Sequence, residues 1–442
     1  MIDSYAQYRD TDVPFLGRLP SHWTDQPAVT LARVLTSTVD KLAVDGETPV
    51  RLCNYTDVYY QDQIVDSGTF MEATATREQI AAYSVQAGDV VFTKDSETAD
   101  DIGISAYVPT NLPGVVYGYH LSTYRPNDKR YGKFLKWLLD SAYVKATLRT
   151  RTLGVTRVGL SQNTVRYLRV PTPPPAEAEA IADFLDRETA EIDAFIADQE
   201  VLIRLLTERR AATITHAVTK GLDPSAPMGN SGIAWIGAVP DHWGITKLAA
   251  VFRTIGSGTT PPRDSERYFG GDVPWVTTSE LRETQILETR EHVTTEAVAR
   301  LSALRLYPPG TILIAMYGAT VGRLGVLGIA ATTNQACCAL AGPVNADALY
   351  IYYAMQAAKP HLLALADGGG QPNINQDKLR QLRVPCPPVR EQREIVVHLD
   401  RETAELDAAI ADAREAIALS KERRAALISA AVTGKIDVRG AV

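Results

Sequence analysis

At 442 residues the chain is too long for one ordinary hydrophobic core, and roughly two to four domains are expected. Hydrophobic residues at 45% and charged residues at 22% match a soluble globular protein, and no apolar run approaches the ~18 residues that span a bilayer. The formal net charge of -7 opposes bulk attraction to nucleic acid, so such a role requires positive charge gathered locally.

The chain opens on MIDSYAQYRDTD, polar and acidic, unlike a signal or transit peptide, and the expected location is the cytoplasm. FLGRLPSHW follows from Phe15, with His22 beside Trp23 read as aromatic stacking at a domain entry. VRLCNYTDV (50–58) and AGDVVFTKDS (87–96) read as strands running into loops, the second strand ending near residue 92. Between residues 125 and 169 there are eleven Lys/Arg against only Asp128 and Asp140. That excess fits a phosphate-facing surface and, equally, a basic helix balanced by acids elsewhere in the fold.

From Ala176 to Lys220 there is no Gly or Pro. Ile181, Leu185, Ile192, Ile196, Ile203 and Leu206 recur at spacings of three, four or seven. This is the stripe of a long amphipathic helix, preceded by prolines 173 to 175, favoured at its start by Glu177 and Glu179, and closed by Gly221.

The second half then repeats the first. SQNTVRYLRVPTPP from Ser161 lies over NQDKLRQLRVPCPP from Asn375, LDRETAEID from Leu185 over LDRETAELD from Leu399, and ERRAATITHAVTKG from Glu208 over ERRAALISAAVTGK from Glu422, all at an offset of 214. FLGRLPSHW has its counterpart in WIGAVPDHW from Trp235, and AGDVVFTKDS in PGTILIAMYG (309–318). The second helix carries Ile395, Leu399, Leu406, Ile410 and Ile417 and ends near Gly434. The chain is a tandem duplication of a divergent domain followed by a near-identical helix.

One apolar stripe needs a partner, and the simplest is the other copy, antiparallel, with one variable domain at each end. The charges are also duplicated: Asp186/Asp400, Arg187/Arg401, Glu188/Glu402 and the Glu-Arg-Arg triplets at 208–210 and 422–424. Packing of the stripe does not require that, so the repeated charges suggest that each copy binds the same partner.

Motifs of catalysis are missing from the sequence. GSGTTPP at 256–262 lacks the GK[ST] of a phosphate loop, and there is no dinucleotide fingerprint, HExxH or GxSxG. Cys53, Cys337, Cys338 and Cys386 lack metal-ligand spacing and read as small buried thiols. A non-catalytic binding module is expected, with no metal and no catalytic residue.

LPSHW, VPDHWG, GSGTTPPRDSERYFGGDVPWVTTSEL, PPGTILIAMYGATVGRLGVL, GGGQPNINQDKLRQLRVPCPP and the paired LDRETAE helices together resemble the specificity subunits of type I DNA restriction-modification systems. The resemblance covers essentially the whole chain. It implies an α+β (mixed α/β) fold with an internal pseudo-twofold repeat. Two target recognition domains (1–172 and 221–386) would be separated by two long antiparallel coiled-coil helices (173–220 and 387–442). It also implies that each domain reads half of a bipartite, asymmetric site on double-stranded DNA. Two methyltransferase subunits would dock on the helices, and restriction-translocase subunits would join through them. S-adenosylmethionine, ATP and Mg are then expected on those partners and none on this chain.

Equivalent loops are the candidate DNA contacts, since Arg pairs with guanine, Gln with adenine, and Gly lets backbone approach phosphate. They comprise Asn54, Tyr55 and Thr56 against Thr277, Thr278 and Ser279, and the loop Thr93, Lys94, Asp95 and Ser96 against Met316, Tyr317 and Gly318, with Lys94 and Tyr317 as its candidates. A third set is Arg149, Arg151 and Arg157 against Gly369, Gly370 and Gln371. Arg187, Arg209, Arg210, Arg401, Arg423 and Arg424 are the candidate partner-docking residues. The competing reading is a duplicated coiled-coil adaptor whose globular domains bind protein.

Overall fold

The computed structural model describes residues 4–154, 156–262, 266–366 and 373–440. The chain forms two compact units, the first made of residues 1–199 with 415–442 and the second of 200–414. This division cuts across the four consecutive segments expected from sequence. Each long helix, Pro175–Lys220 and Val389–Val432, gives its two parts to different units. At ~1.5 Å per residue, the 46-residue first helix is ~69 Å long.

In the first unit a four-stranded antiparallel sheet runs in the order Ala32–Thr36, Leu121–Pro126, Val90–Thr93, Ser105–Tyr107. A second sheet places Val115–Tyr117 parallel to Thr48–Cys53, itself antiparallel to Met71–Ala75. The central strand Val90–Thr93 is buried along its whole length because both its faces are covered. Val90 and Phe92 point into a cluster with helical residues such as Phe134 and Leu135, while Val91 points into a cluster with Tyr117 and Leu121.

The second unit repeats the plan. Its sheet order is Phe252–Ser257, Cys337–Pro343, Ile312–Ala315, Leu324–Leu327, Gln285–Ile286, and Phe269–Val276 lies parallel to Thr332–Thr333. Ile312 and Ile314 face the helical side and Leu313 and Ala315 the opposite cluster. The same alternation puts Cys337 and Cys338 on opposite faces of one strand, so the adjacent thiols cannot share a ligand. All four cysteines are free, and burial pushes the Cys338 thiol up to about 12.

The helices end where the sequence places them, because Gly221 and Gly434 adopt left-handed backbone at φ +74° and +65°. Each glycine also touches the tryptophan of the His-Trp element. A Cβ on Gly221 would lie 3.1 Å from the Trp243 ring, and one on Gly434 would lie 2.4 Å from Pro20 and 3.2 Å from Trp23.

The His-Trp element does more than stack. Glu177 accepts from Tyr5 Oη at 2.6 Å and from Trp23 Nε1 at 3.1 Å, and it pairs with His22 Nε2 at 2.9 Å. In the second unit Glu391 accepts from Trp243 Nε1 at 3.0 Å and pairs with His242 Nε2 at 2.9 Å. Beside each tryptophan the lysine at the far end of the other long helix donates to backbone: Lys435 to Arg18 O, and Lys220 to Ala238 O. Each domain therefore grips the start of one helix and the end of the other, and the two helical segments within each unit run antiparallel.

Glu177→Ala leaves Trp23 Nε1 and the Tyr5 hydroxyl buried without that acceptor. It should destabilise the first unit by about 2–4 kcal/mol. The carboxylate of Glu391 is 28% exposed against 6% for Glu177, so Glu391→Ala should cost about 1 kcal/mol in the second unit. Hydrogen-exchange protection of peptides from each unit measures the difference, and equal losses would contradict the clamp.

Candidate nucleic-acid interface

In the first unit four loops meet at one end of the two sheets. Thr48–Cys53 runs into Asn54, whose side chain caps the short helix Tyr55–Tyr59 and whose backbone N–H is held by Asp57 at 2.7 Å. The turn at 118–121 is tied to that strand end by Gly118 N–H donating to Cys53 O at 2.8 Å. Lys94 N–H donates to His120 O at 3.1 Å, and Leu160 N–H to Lys94 O at 2.8 Å. Asp95–Ser96 then pairs with Val158–Gly159. Asn54, Lys94 and Arg157 thus belong to one continuous hydrogen-bonded frame.

The second unit builds the same frame from other residues. Asn334 N–H donates to Val276 O at 3.0 Å, Met316 N–H to Ala336 O at 2.9 Å, and Ile374 N–H to Met316 O at 2.7 Å, while Tyr317 bridges Asn373. Thr277 replaces Asn54 as the cap, its N–H held by Glu280 at 2.6 Å, with Thr278 half-buried and Ser279 exposed. Tyr317 therefore occupies the place of Asp95, Met316 that of Lys94, and Ala336 that of His120. The alignment of 87–96 with 309–318 gives the same pairing. Gly369, Gly370 and Gln371 lie outside the described residues.

Side-chain chemistry differs sharply at the two mouths. In the first unit Asp95 pairs with Arg157 Nη2 at 3.0 Å and with His120 Nδ1 at 2.9 Å. The Lys94 ammonium sits 4.1 Å from the Tyr119 ring centre; desolvation by burial lowers its pKa, against the opposing pull of Asp95. Tyr55 stacks on Tyr59 with ring centres 5.4 Å apart, and Thr56 is exposed. In the second unit Tyr317 is partly exposed, and its hydroxyl pKa is raised by desolvation and then by Cys337. Gln335 is exposed in the place of Tyr119, and Thr260 donates to its side-chain oxygen. Tyr119, His120 and Gln335 were not among the sequence candidates. The turn that carries them diverges too far between the copies for alignment alone to pair them.

The basic stretch is not one open cationic face. Arg125 pairs with Asp89, Arg130 with Asp128, Lys133 with Asp186, Lys136 with Asp62 and Asp140, Arg149 with Asp100, and Arg169 with Asp25. The reading of charges balanced elsewhere in the fold applies to these residues. Arg151 is exposed beside the frame, its N–H donating to Leu148 O.

The duplicated helix charges also turn inward. Asp186 accepts from Trp137 Nε1 at 2.9 Å and from Lys133 at 2.6 Å, and its counterpart Asp400 accepts from Tyr353 Oη at 2.6 Å. Arg210 pairs with Asp407 at 2.8 Å, and Arg424 with Asp193 at 2.9 Å. These four positions fasten helix to helix and helix to domain, so Arg210 and Arg424 already have partners within their own units. Arg187 and Arg401 are exposed beside Glu188 and Glu402, and Arg209 and Arg423 are exposed.

Residues 240–413 match the family model described as the type I restriction modification DNA specificity domain. The MjaIX specificity subunit of Methanocaldococcus jannaschii is 27% identical over 168 residues, 37% of this chain and 38% of that relative. The MjaX specificity subunit of the same organism is 23% identical across 82% of each chain. The chain is thus similar, over residues 240–413 and more weakly along most of its length, to type I restriction-modification specificity subunits. A solved structure described as the basis of complex assembly and conformational transition of the type I R-M system shares the fold of this chain. It superposes with a TM-score of 0.68 at 20% identity, over 95% of this chain and 99% of that one. The first relative is matched over little more than a third of its length, the second over most of it. Among the described residues, no helix of this chain is long and apolar enough to cross a membrane.

Proposed function

We propose that this chain is the non-catalytic DNA-reading subunit of a type I restriction-modification complex, each unit recognising one half of a bipartite, asymmetric site on double-stranded DNA. One observation carries the reading: two units share a hydrogen-bonded backbone frame while the side chains at its mouth disagree, Asp95 and His120 against Tyr317 and Ala336. A frame kept while its outermost groups change suits two similar ligands that differ in detail, as two DNA half-sites do. Arg157 and Arg151 can address guanine or phosphate, and Tyr317 and Gln335 offer uncharged donors and acceptors.

On this reading the long helices dock two methyltransferase subunits, and restriction-translocase subunits join through them. S-adenosylmethionine, ATP and Mg would reside on those partners. Support comes from groups duplicated on the helices and turned to solvent. Leu205 and Leu419, at equivalent positions, are 53% and 57% exposed, one turn before the exposed Arg209 and Arg423. Arginine is enriched among interface hot spots, and an exposed leucine one turn away adds apolar area that a partner can cover.

Arg157→Ala should weaken discrimination at one half-site by roughly 10-fold or more and leave the other intact. Tyr317→Ala should do the reverse. Mapping methylated sites in cells carrying each variant with its methyltransferase reads this out, and relaxation of both halves by either variant would sink the assignment. Binding of the assembled complex to duplex DNA should also fall steeply with salt; salt-independent binding to protein alone would favour an adaptor.

Leu205→Glu and Leu419→Glu should each reduce the bound methyltransferase from two copies to one, and the double variant should bind none. Native mass spectrometry of the co-purified complex counts them. Two copies retained by the double variant would place the docking surface elsewhere.

A further inference from the structure

The frame at the mouth of the first unit brings a carboxylate, an imidazole and a guanidinium together. Asp95 Oδ1 lies 3.0 Å from Arg157 Nη2, and Asp95 Oδ2 lies 2.9 Å from His120 Nδ1. Asp95 is 16% exposed, His120 34% and Arg157 56%, so the acid lies beneath and the two bases rise from it. Left alone, a carboxylate here would repel a polyanion; two donors on its two oxygens offset that charge.

The pairing also fixes the histidine. In the neutral form of the ring the carboxylate accepts from Nδ1–H, which leaves Nε2 as an acceptor. The backbone holds the ring's position as well, because His120 O accepts from Lys94 N–H and the turn around it is closed by Leu121 N–H donating to Gly118 O at 3.1 Å. Next to it, Lys94 over the Tyr119 ring supplies positive charge suited to a flanking phosphate.

We infer that His120 is a specificity-determining residue of the first unit, with Nε2 accepting a hydrogen bond from the exocyclic amine of an adenine or a cytosine. In the major groove those amines are the donors that separate adenine and cytosine from thymine and guanine. Asp95 is the positioning residue for both His120 and Arg157. The second unit has Ala336 in the equivalent place and cannot make this contact. The inference rests on the DNA-reading function proposed above.

The test uses the full chain assembled with a type I modification subunit and a randomised duplex library at fixed salt. The wild-type complex should enrich adenine or cytosine at one position of one half-site. His120→Ala and His120→Phe should each lower that preference roughly 10-fold or more. All other positions and the second half-site should stay unchanged, the latter reporting that the chain remains folded. Asp95→Asn should broaden that position together with the one governed by Arg157. If His120→Ala weakens all sequences alike, or leaves the enriched pool unchanged, the assignment is overturned. A wild-type complex that enriches nothing overturns the DNA-reading function itself, which distinguishes the two failures.

Discussion

A single carboxylate at the start of each long helix decides how a globular domain is held. Glu177 and Glu391 accept from an indole N–H and face an imidazole of the His-Trp element. Burying an acceptor and donors together makes the arrangement costly to break, because each group would be left without its partner in low dielectric. Each tryptophan also meets a glycine at the end of the opposite helix, where an added Cβ would come within 3.2 Å of Trp23 or 3.1 Å of Trp243. Two helix ends and one domain are thus fastened through one ring, once in each unit.

This fastening lets the rest diverge. Around it, the first unit anchors its domain helix to Asp186 through Lys133 and Trp137, whereas the second anchors to Asp400 through Tyr353. Retention of the aspartate follows from its internal role, and different donors meet it from domains that no longer resemble each other. At the loop end the backbone bonds persist while side chains change from Asp95 and His120 to Tyr317 and Ala336. Structure is conserved where main chain meets main chain, and chemistry varies where side chains meet solvent.

Much of the architecture was legible in the sequence. The duplication exposed the two-unit plan, the Gly- and Pro-free stretches bounded the helices, and a Gly turn leading into a short apolar run marked the central strands. Charge was harder. A polar residue on a helix looks the same in sequence whether it meets water, as Arg209 does, or a neighbouring helix, as Arg210 does through Asp407. Which it meets depends on packing between segments some 200 residues apart, which no local pattern encodes. The same applies to His120, whose significance comes from Asp95 and Arg157 converging on it from two other loops.

The composition of the first unit also sets an order of events during synthesis. Its core includes Ile428, Ala431, Val432 and Val438, and its tryptophan is covered by Gly434. Residues 200–414, in contrast, are contiguous and hold every segment of the second unit. The domain that leaves the ribosome first must therefore wait for residues 428–438 before its core is complete, while the later one can finish ahead of it. A chain lacking residues 428–438 would keep a complete second unit and an unfinished first.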